Sequence, residues 1–224
     1  MRSWKTVLGT SAALALSMGL AHAGAIGTAS SYTVNVWNCG GNCTTQLQAE
    51  LPAPTSGWLA SFTYTGSINF DVHSGTKNTY NNFFTSGGGV ISNFTGLNLV
   101  SESNFLGMTM SSGGVTTQSY LLFSGSYSSI DTMNVSVQHD DGASLYTGSN
   151  NTPVFTSPQW QNQHTGTGLL PAGWVPFKLA YVEANGAPSV LIANSTNVPE
   201  PGALALFAAG LLGMGWMLRR RKAS

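Results

Sequence analysis

The chain has 224 residues, of which 42% are hydrophobic and only 7% are charged. The apolar fraction is large enough to form a core, which excludes a wholly disordered chain. Residues 24–197 contain two lysines, seven acidic residues and no arginine, a net charge of −5. Nucleic-acid-binding proteins need a basic surface, so the charge excludes that class and we expect no nucleic-acid partner.

Residues 1–23 have the pattern of a secretory signal peptide. Arg2 and Lys5 precede an apolar stretch over residues 7–20, and Ala21-His22-Ala23 supplies the small residues of a cleavage site. We therefore expect signal peptidase to remove residues 1–23 during export.

The two cysteines of the chain, Cys39 and Cys43, are separated by three residues. An even number of cysteines in an exported protein predicts a disulfide between them. The loop that it closes is short, so its entropic contribution to stability is small. The neighbouring sequence lacks the further ligands that a zinc site needs.

Residues 24–197 are predicted to form one domain of β-strands. Apolar and polar residues alternate at positions 32–36, 68–72, 133–138 and 175–181, and residues 190–192 form a short apolar run. Together with frequent Gly, Ser, Asn and Pro, this pattern predicts many short antiparallel strands in a β-sandwich or jelly roll with little helix. We expect a loop at residues 83–89.

Adjacent carboxylates lie where one alternating strand ends, at Asp140 and Asp141, and Gly142 opens the next strand. Two interpretations are open. Like charges at a strand end need hydrogen bonds, solvent or a hard cation such as Ca²⁺, which binds six to eight oxygen atoms, and Asn150 and Asn151 are then candidate further ligands. Alternatively, Asp-Gly forms an ordinary hairpin turn and the second carboxylate is solvated.

Four tryptophans of this domain are candidates for stacking on sugar rings, although burial in a sandwich core is the expected position for Trp37, Trp58 and Trp174. Trp160 is the exception because its neighbours are amides and a histidine, which suit sugar hydroxyls.

Motifs of nucleophilic, phosphate-binding and zinc enzymes are absent from the sequence. We therefore expect a protein without enzymatic activity. A polysaccharide hydrolase is the less favoured alternative, because no catalytic pair stands out among the seven acidic residues.

Residues 139–146, His-Asp-Asp-Gly-Ala-Ser-Leu-Tyr, resemble the Asp-Asp-Gly-x-x-Leu-Tyr core of PA14 domains. Residues 123–127 resemble the preceding strand of that family, and residues 174–191 resemble its closing hairpin. The resemblance covers about residues 120–193 and implies an antiparallel β-sandwich that binds glycans in many members. In the yeast adhesin branch, two aspartates joined by a cis peptide bond hold calcium, which holds sugar hydroxyls. The matching pair here is Asp140 and Asp141.

Residues 198–224 have three consecutive parts. The motif Val198, Pro199, Glu200, Pro201 precedes a charge-free run at residues 202–218, and the basic residues Arg219, Arg220, Arg221 and Lys222 follow. As a helix, the run would reach about 26 Å, the short end of a membrane span, with the basic end on the cytoplasmic side. A plain membrane anchor is one interpretation.

The same arrangement resembles the PEP-CTERM sorting signal of Gram-negative bacteria, which an exosortase recognises and cleaves. The resemblance implies delivery to the cell surface or extracellular matrix of a host that makes exopolysaccharide. The whole sequence thus predicts an exported, biofilm-associated β-sandwich that binds carbohydrate with calcium as cofactor. The alternative is a purely structural matrix protein without a ligand site.

Overall fold

The computed structural model describes residues 26, 30–39, 47–73, 77–113, 116–159 and 162–197. The predicted signal peptide, the predicted sorting segment, Cys43 and Trp160 lie outside these residues. Within them, no helix is both long and apolar enough to cross a bilayer.

The described residues contain thirteen strands and two short α-helices. In chain order they are β1 (Ser30–Asn38), β2 (Trp58–Gly66), β3 (Asn69–Val72), β4 (Lys77–Thr79), α1 (Tyr80–Ser86), β5 (Val90–Gly96), α2 (Glu102–Gly107), β6 (Thr109–Ser112), β7 (Ser119–Ser129), β8 (Met133–Asp140), β9 (Gly142–Thr147), β10 (Thr152–Ser157), β11 (His164–Leu170), β12 (Gly173–Glu183) and β13 (Ser189–Asn197), with a 3-10 turn at Leu97–Leu99.

Two antiparallel sheets pack face to face and confirm the predicted β-sandwich. The larger sheet has the strand order β10-β9-β12-β7-β1-β2-β5, the smaller has the order β11-β8-β13-β3, and β4 pairs with β6 in a two-stranded ribbon. Alternate residues of β1 and β8 are buried in one shared core, as their hydrophobic pattern predicts: Val34 and Val36 from the larger sheet meet Val135 and Val137 from the smaller.

The loop expected at residues 83–89 is wrong for its first half, because α1 extends to Ser86. Thr79 caps this helix by accepting a hydrogen bond from the backbone N–H of Asn82. Phe83 and Phe84 are buried, and the Phe83 ring stacks on Phe70 at a centroid distance of 4.5 Å. A helix of two turns has little visible periodicity, so its burial in the core decides its conformation.

The chain changes sheet at both ends of the sandwich. At the end that we call the upper end, the connections β8–β9, β10–β11 and β12–β13 pass between the sheets, and at the lower end β7–β8 and β11–β12 do so. The predicted closing hairpin at residues 174–191 is therefore wrong, because β12 and β13 belong to different sheets. Strand β13 ends at the lower end, where Asn197 pairs with Met133.

Candidate functional site

The two adjacent aspartates lie at the upper end, where the chain passes from one sheet to the other. Strand β8 pairs with β11 and β13, whereas β9 pairs with β10 and β12. The hairpin-turn interpretation of Asp-Gly is therefore wrong, since the two flanking strands are not partners. The peptide bond between Asp140 and Asp141 is cis, which is the geometry that the PA14 resemblance implied.

Two buried side chains hold the backbone of this aspartate pair. The Tyr181 hydroxyl donates to the Asp140 carbonyl oxygen, and His139 Nδ1 lies 2.7 Å from the Asp141 carbonyl oxygen. A carbonyl only accepts, so Nδ1 carries a proton. Burial lowers the pKa of His139, so the ring is neutral at neutral pH, and its Nε2 has no hydrogen-bond partner within the described residues. These contacts fix both carbonyls and thereby the direction of the two side chains.

The carboxyl groups of the pair are covered by two loops. Asp140 is 9% exposed and Asp141 is 3% exposed. The backbone N–H of Ala184 donates to Asp141 Oδ2 at 2.7 Å, and the backbone N–H of Asn185 donates to the same carboxyl group. On the other side, the backbone N–H of Gln163 donates to the Asp140 carboxyl group. The β10–β11 and β12–β13 loops thus meet at the aspartates.

The electrostatics of the site disfavour two ionised carboxylates. Burial raises the pKa of Asp141 to about 7, the charge of Asp140 adds to the increase, and the N–H groups of Ala184 and Asn185 oppose it. Burial also raises the pKa of Asp140. At neutral pH the pair therefore needs either a shared proton or a cation close to both groups.

A second buried carboxyl group lies behind the pair, on β12. Glu183 is fully buried, accepts a hydrogen bond from the Ser111 hydroxyl at 2.9 Å, and has its Oε2 2.7 Å from the Tyr181 hydroxyl oxygen. Burial, followed by the charge of Asp141, raises the pKa of Glu183 well above its usual range. Tyr181 has one hydroxyl proton, which it donates to the Asp140 carbonyl, so the proton between Tyr181 and Glu183 belongs to Glu183. Glu183 is therefore neutral.

Sequence reasoning gave Glu183 and Tyr181 no role, although their spacing contained a signal. Residues two apart on a strand point to the same face, so a Tyr-x-Glu pair at the end of an apolar strand places both polar groups in the core. Such groups need partners there. Which partners they have depends on strand register, which the sequence does not show.

The structure corrects the predicted ligand set around the aspartates. Asn150 and Asn151 lie in the turn between β9 and β10, at the far end of a strand that begins next to Asp141. A six-residue strand is about 20 Å long, so these asparagines do not share a site with the pair. They are close in sequence, but β9 carries them to the lower end. Asn185, half-buried in the β12–β13 loop, is adjacent to Asp141 instead.

Other residues singled out from the sequence lie elsewhere or outside the described residues. Trp37 is half-buried and packs edge-on against Tyr120 at 5.5 Å, and Trp58 is also half-buried. Trp174 is 71% exposed, so its expected burial is wrong. Side chains alternate along a strand, and since Phe177 faces the core, Trp174 lies on the outer face of β12. Cys39 Sγ lies 3.3 Å from the backbone nitrogen of Gln118. Since Cys43 is not described, the disulfide stays a prediction.

The donor set at the aspartates fits a hard cation. Within the described residues, no group of three or more His, Cys, Asp or Glu side chains is arranged to hold a metal ion. The donors that the structure places there are the oxygen atoms of the two carboxyl groups, and the backbone of Gln163, Ala184 and Asn185 lies next to them. Oxygen donors of this kind suit Ca²⁺ and do not suit zinc, which prefers nitrogen and sulfur ligands.

Gly142 allows the β10–β11 loop to approach the pair. A Cβ atom at this position would lie 2.6 Å from the Pro158 carbonyl oxygen and 3.2 Å from that of Gln159. We expect Gly142→Ala to lower the free energy of unfolding by about 1–3 kcal/mol, because the loop backbone must move. Urea unfolding would measure the loss, and Gly113→Ala is the control because a Cβ there meets nothing within 4 Å. Equal stability of the two variants would contradict this account of the loop.

Comparison with known proteins identifies one segment of the chain. Residues 197–222 match the PEP-CTERM protein-sorting motif. The match confirms the predicted sorting signal and marks an exported protein that is sorted to the cell envelope or surface. No curated protein matches the chain.

Solved structures of PA14 domains are among the structural neighbours of the chain. The PA14 domain of the MpAFP antifreeze protein is 16% identical, with a TM-score of 0.46, over 77% of this chain and 85% of that one. The PA14 sugar-binding domain of an RTX adhesin is 14% identical, with a TM-score of 0.49, over 76% and 91%. The Epithelial Adhesin 9 A domain of Candida glabrata, in complex with Galb1-3GlcNAc, is 12% identical, with a TM-score of 0.47, over 77% and 87%. At these identities the likeness concerns the fold alone.

Proposed function

We infer that this protein is a non-enzymatic, calcium-dependent carbohydrate-binding protein of the cell surface. The observation that carries the proposal is the pair of buried carboxyl groups at Asp140 and Asp141, held side by side at the junction of two sheets. Two adjacent buried acids are costly unless a positive charge compensates them. Lys178 does not compensate them, because it pairs in register with Tyr146, four residues along β9 from Gly142.

Calcium is the cation that best suits the donors around the pair. Asp140 and Asp141 supply carboxylate oxygen atoms, and we propose that the side chain of Asn185, whose backbone N–H already contacts Asp141, and carbonyls of the two loops complete the ligand set. When bound, Ca²⁺ offsets both negative charges and accepts further oxygen ligands, including vicinal hydroxyls of a sugar. The resemblance of residues 139–146 to the PA14 core supports the same ligand pair.

The loops provide the remaining features of a glycan site. Gln159, Asn162 and Gln163 flank Trp160 in the β10–β11 connection, and amides next to an aromatic ring suit the hydroxyls and apolar face of a sugar. The site lies at the upper end, whereas β13 leads to the sorting motif from the lower end. We propose that it binds the exopolysaccharide of the producing cell in a biofilm or matrix.

Calcium-dependent glycan binding tests this function. The purified protein should bind a glycan array, or the polysaccharide of its host, in millimolar calcium, lose binding in EDTA and regain it when calcium is restored. Asn185→Ala should weaken binding roughly 5- to 150-fold, since one cation ligand is worth roughly 1–3 kcal/mol. Asn150→Ala, the same change at the lower end, should bind like the wild type. Equal binding by both variants, or binding that persists in EDTA, would contradict the proposal.

The structural alternative makes a different prediction for the same experiment. A purely structural matrix protein without a ligand site would have the same stability in EDTA and in calcium and would retain no glycan on any array. Release of sugar fragments from the host polysaccharide would favour the hydrolase.

A further inference from the structure

The lower end of the sandwich exposes apolar side chains. Among the described residues, the large hydrophobic side chains that are exposed are Val90 (66%), Leu97 (44%), Ile130 (75%), Leu169 (61%) and Trp174 (71%). The four most exposed of these five lie at the lower end. They come from four different segments of the chain, so the surface that could cover all of them is broad and flat.

Strand register places these four residues at that end: Ile130 and Trp174 lie at the ends of neighbouring strands, whereas Leu169 and Val90 lie on edge strands of the smaller and the larger sheet. Ile130 follows Ser129, the last residue of β7, which pairs with Gly173, the residue before Trp174. Leu169 is the second-last residue of β11 and precedes Leu170, which pairs with Met133. Val90 is the first residue of β5 and pairs with the second-last residue of β2. That residue lies beside the start of β1, at the lower end. We call these four residues the apolar rim.

The chain leaves the domain beside this apolar rim. Asn197, the last residue of β13, pairs with Met133, and Met133 also pairs with Leu170 on its other side. The charge-free apolar run starts at residue 202. Whatever its conformation, the intervening chain spans at most about 17 Å. When the apolar run is in a bilayer, the lower end therefore stays close to the membrane surface.

We propose that the lower end rests on the bilayer while the chain is still attached to it, with the apolar rim inserted in the lipid interface. Exposed tryptophan is the residue type most enriched at membrane interfaces, and Trp174 supplies it here. The domain has a net charge of −5 and Asp131 lies beside Ile130, so the partner surface is zwitterionic lipid rather than anionic lipid. This inference rests on the membrane span predicted for residues 202–218 and not on the calcium site of the proposed function.

The orientation has a functional consequence. Met133 is at the lower end of β8 and Asp140 at its upper end, about 23 Å apart along the strand. The aspartate site then faces away from the membrane, toward the surrounding matrix. Cleavage of the sorting motif would release the apolar rim from lipid and leave the site unchanged.

Tryptophan quenching by lipid tests the contact. The chain, with its signal peptide removed by export, is reconstituted into phosphatidylcholine vesicles that contain lipids brominated near the headgroup. Trp216, in the apolar run, and Trp174 are then the residues within reach of bromine. Trp174→Phe should remove about half of the quenched fluorescence amplitude. Trp58→Phe is the matched control, because Trp58 begins β2 at the upper end, and its quenched amplitude should equal that of the wild type.

Each outcome decides the proposal. An unchanged quenched amplitude in Trp174→Phe would overturn the lipid contact even though the chain floats with vesicles. Concentration-dependent shielding of Trp174 with no quenching by bromine would assign the apolar rim to a second copy of the chain, which also overturns it. Failure of the chain to float would remove the membrane tether and this inference with it, while leaving the calcium-dependent glycan site standing. Unchanged melting temperatures verify that both variants fold.

Discussion

Asp141→Asn should abolish the stabilisation of this protein by calcium without lowering its stability in EDTA. Asparagine keeps an oxygen that accepts the N–H group of Ala184, and it removes one of two buried like charges. In EDTA the variant should melt at or above the wild-type temperature. The wild type should gain about 2.7 kcal/mol at a calcium concentration 100-fold above its dissociation constant, or about 5–10 °C in melting temperature.

Thermal melting in EDTA and in calcium measures both parts of this prediction. Asp131→Asn, at the lower end, is the matched control and should retain the full calcium shift. Because the prediction has opposite signs in the two conditions, a variant that is merely misfolded cannot reproduce it. An equal calcium shift in Asp141→Asn and the wild type would exclude Asp141 as a ligand.

Glu183→Ala should be among the most destabilising changes in the domain, whereas Glu183→Gln should be nearly neutral. Alanine leaves a cavity in the core and removes the partner of the Ser111 and Tyr181 hydroxyls, so we expect a loss of about 3 kcal/mol in the free energy of unfolding. Glutamine is uncharged and has nearly the same shape as the neutral acid. Its Nε2 donates to the Tyr181 oxygen and its Oε1 accepts from Ser111.

Urea unfolding at neutral pH separates these two variants of Glu183. A similar large loss in both variants would mean that Glu183 is ionised in the folded state. That result would contradict the argument that Glu183 carries the proton it shares with Tyr181. Tyr181 also donates to the Asp140 carbonyl, so Glu183→Ala should weaken the calcium response as well. Glu183→Gln should preserve it.

Much of the fold follows from local patterns in the sequence, but the strand connections do not. The alternation of Tyr32, Val34 and Val36 predicts β1 and its buried face, because one side of each sheet must be apolar. Whether two consecutive strands pair or lie in different sheets depends on contacts between distant residues. For this reason the sequence left a hairpin turn open at Asp140–Gly142, and the family resemblance implied a hairpin over residues 174–191, although the chain crosses between sheets at both places.

The candidate site was predictable only where its chemistry is local. Asp140 and Asp141 stand out because two adjacent acids at a strand end need compensation. Their neighbours Gln163, Glu183 and Asn185 come from loops and strands more than twenty residues away, and only register brings them together. Asn150 and Asn151 are close to the aspartates in sequence, but the six residues of β9 separate them, so they lie at the opposite end of the domain.

A crystal structure of the protein grown with calcium tests the central claim most directly. The account predicts one ion in contact with the carboxylates of both Asp140 and Asp141, with oxygen ligands at about 2.3–2.6 Å that include the β12–β13 loop. Two carboxyl groups that share a proton in saturating calcium, with no ion beside them, would contradict it.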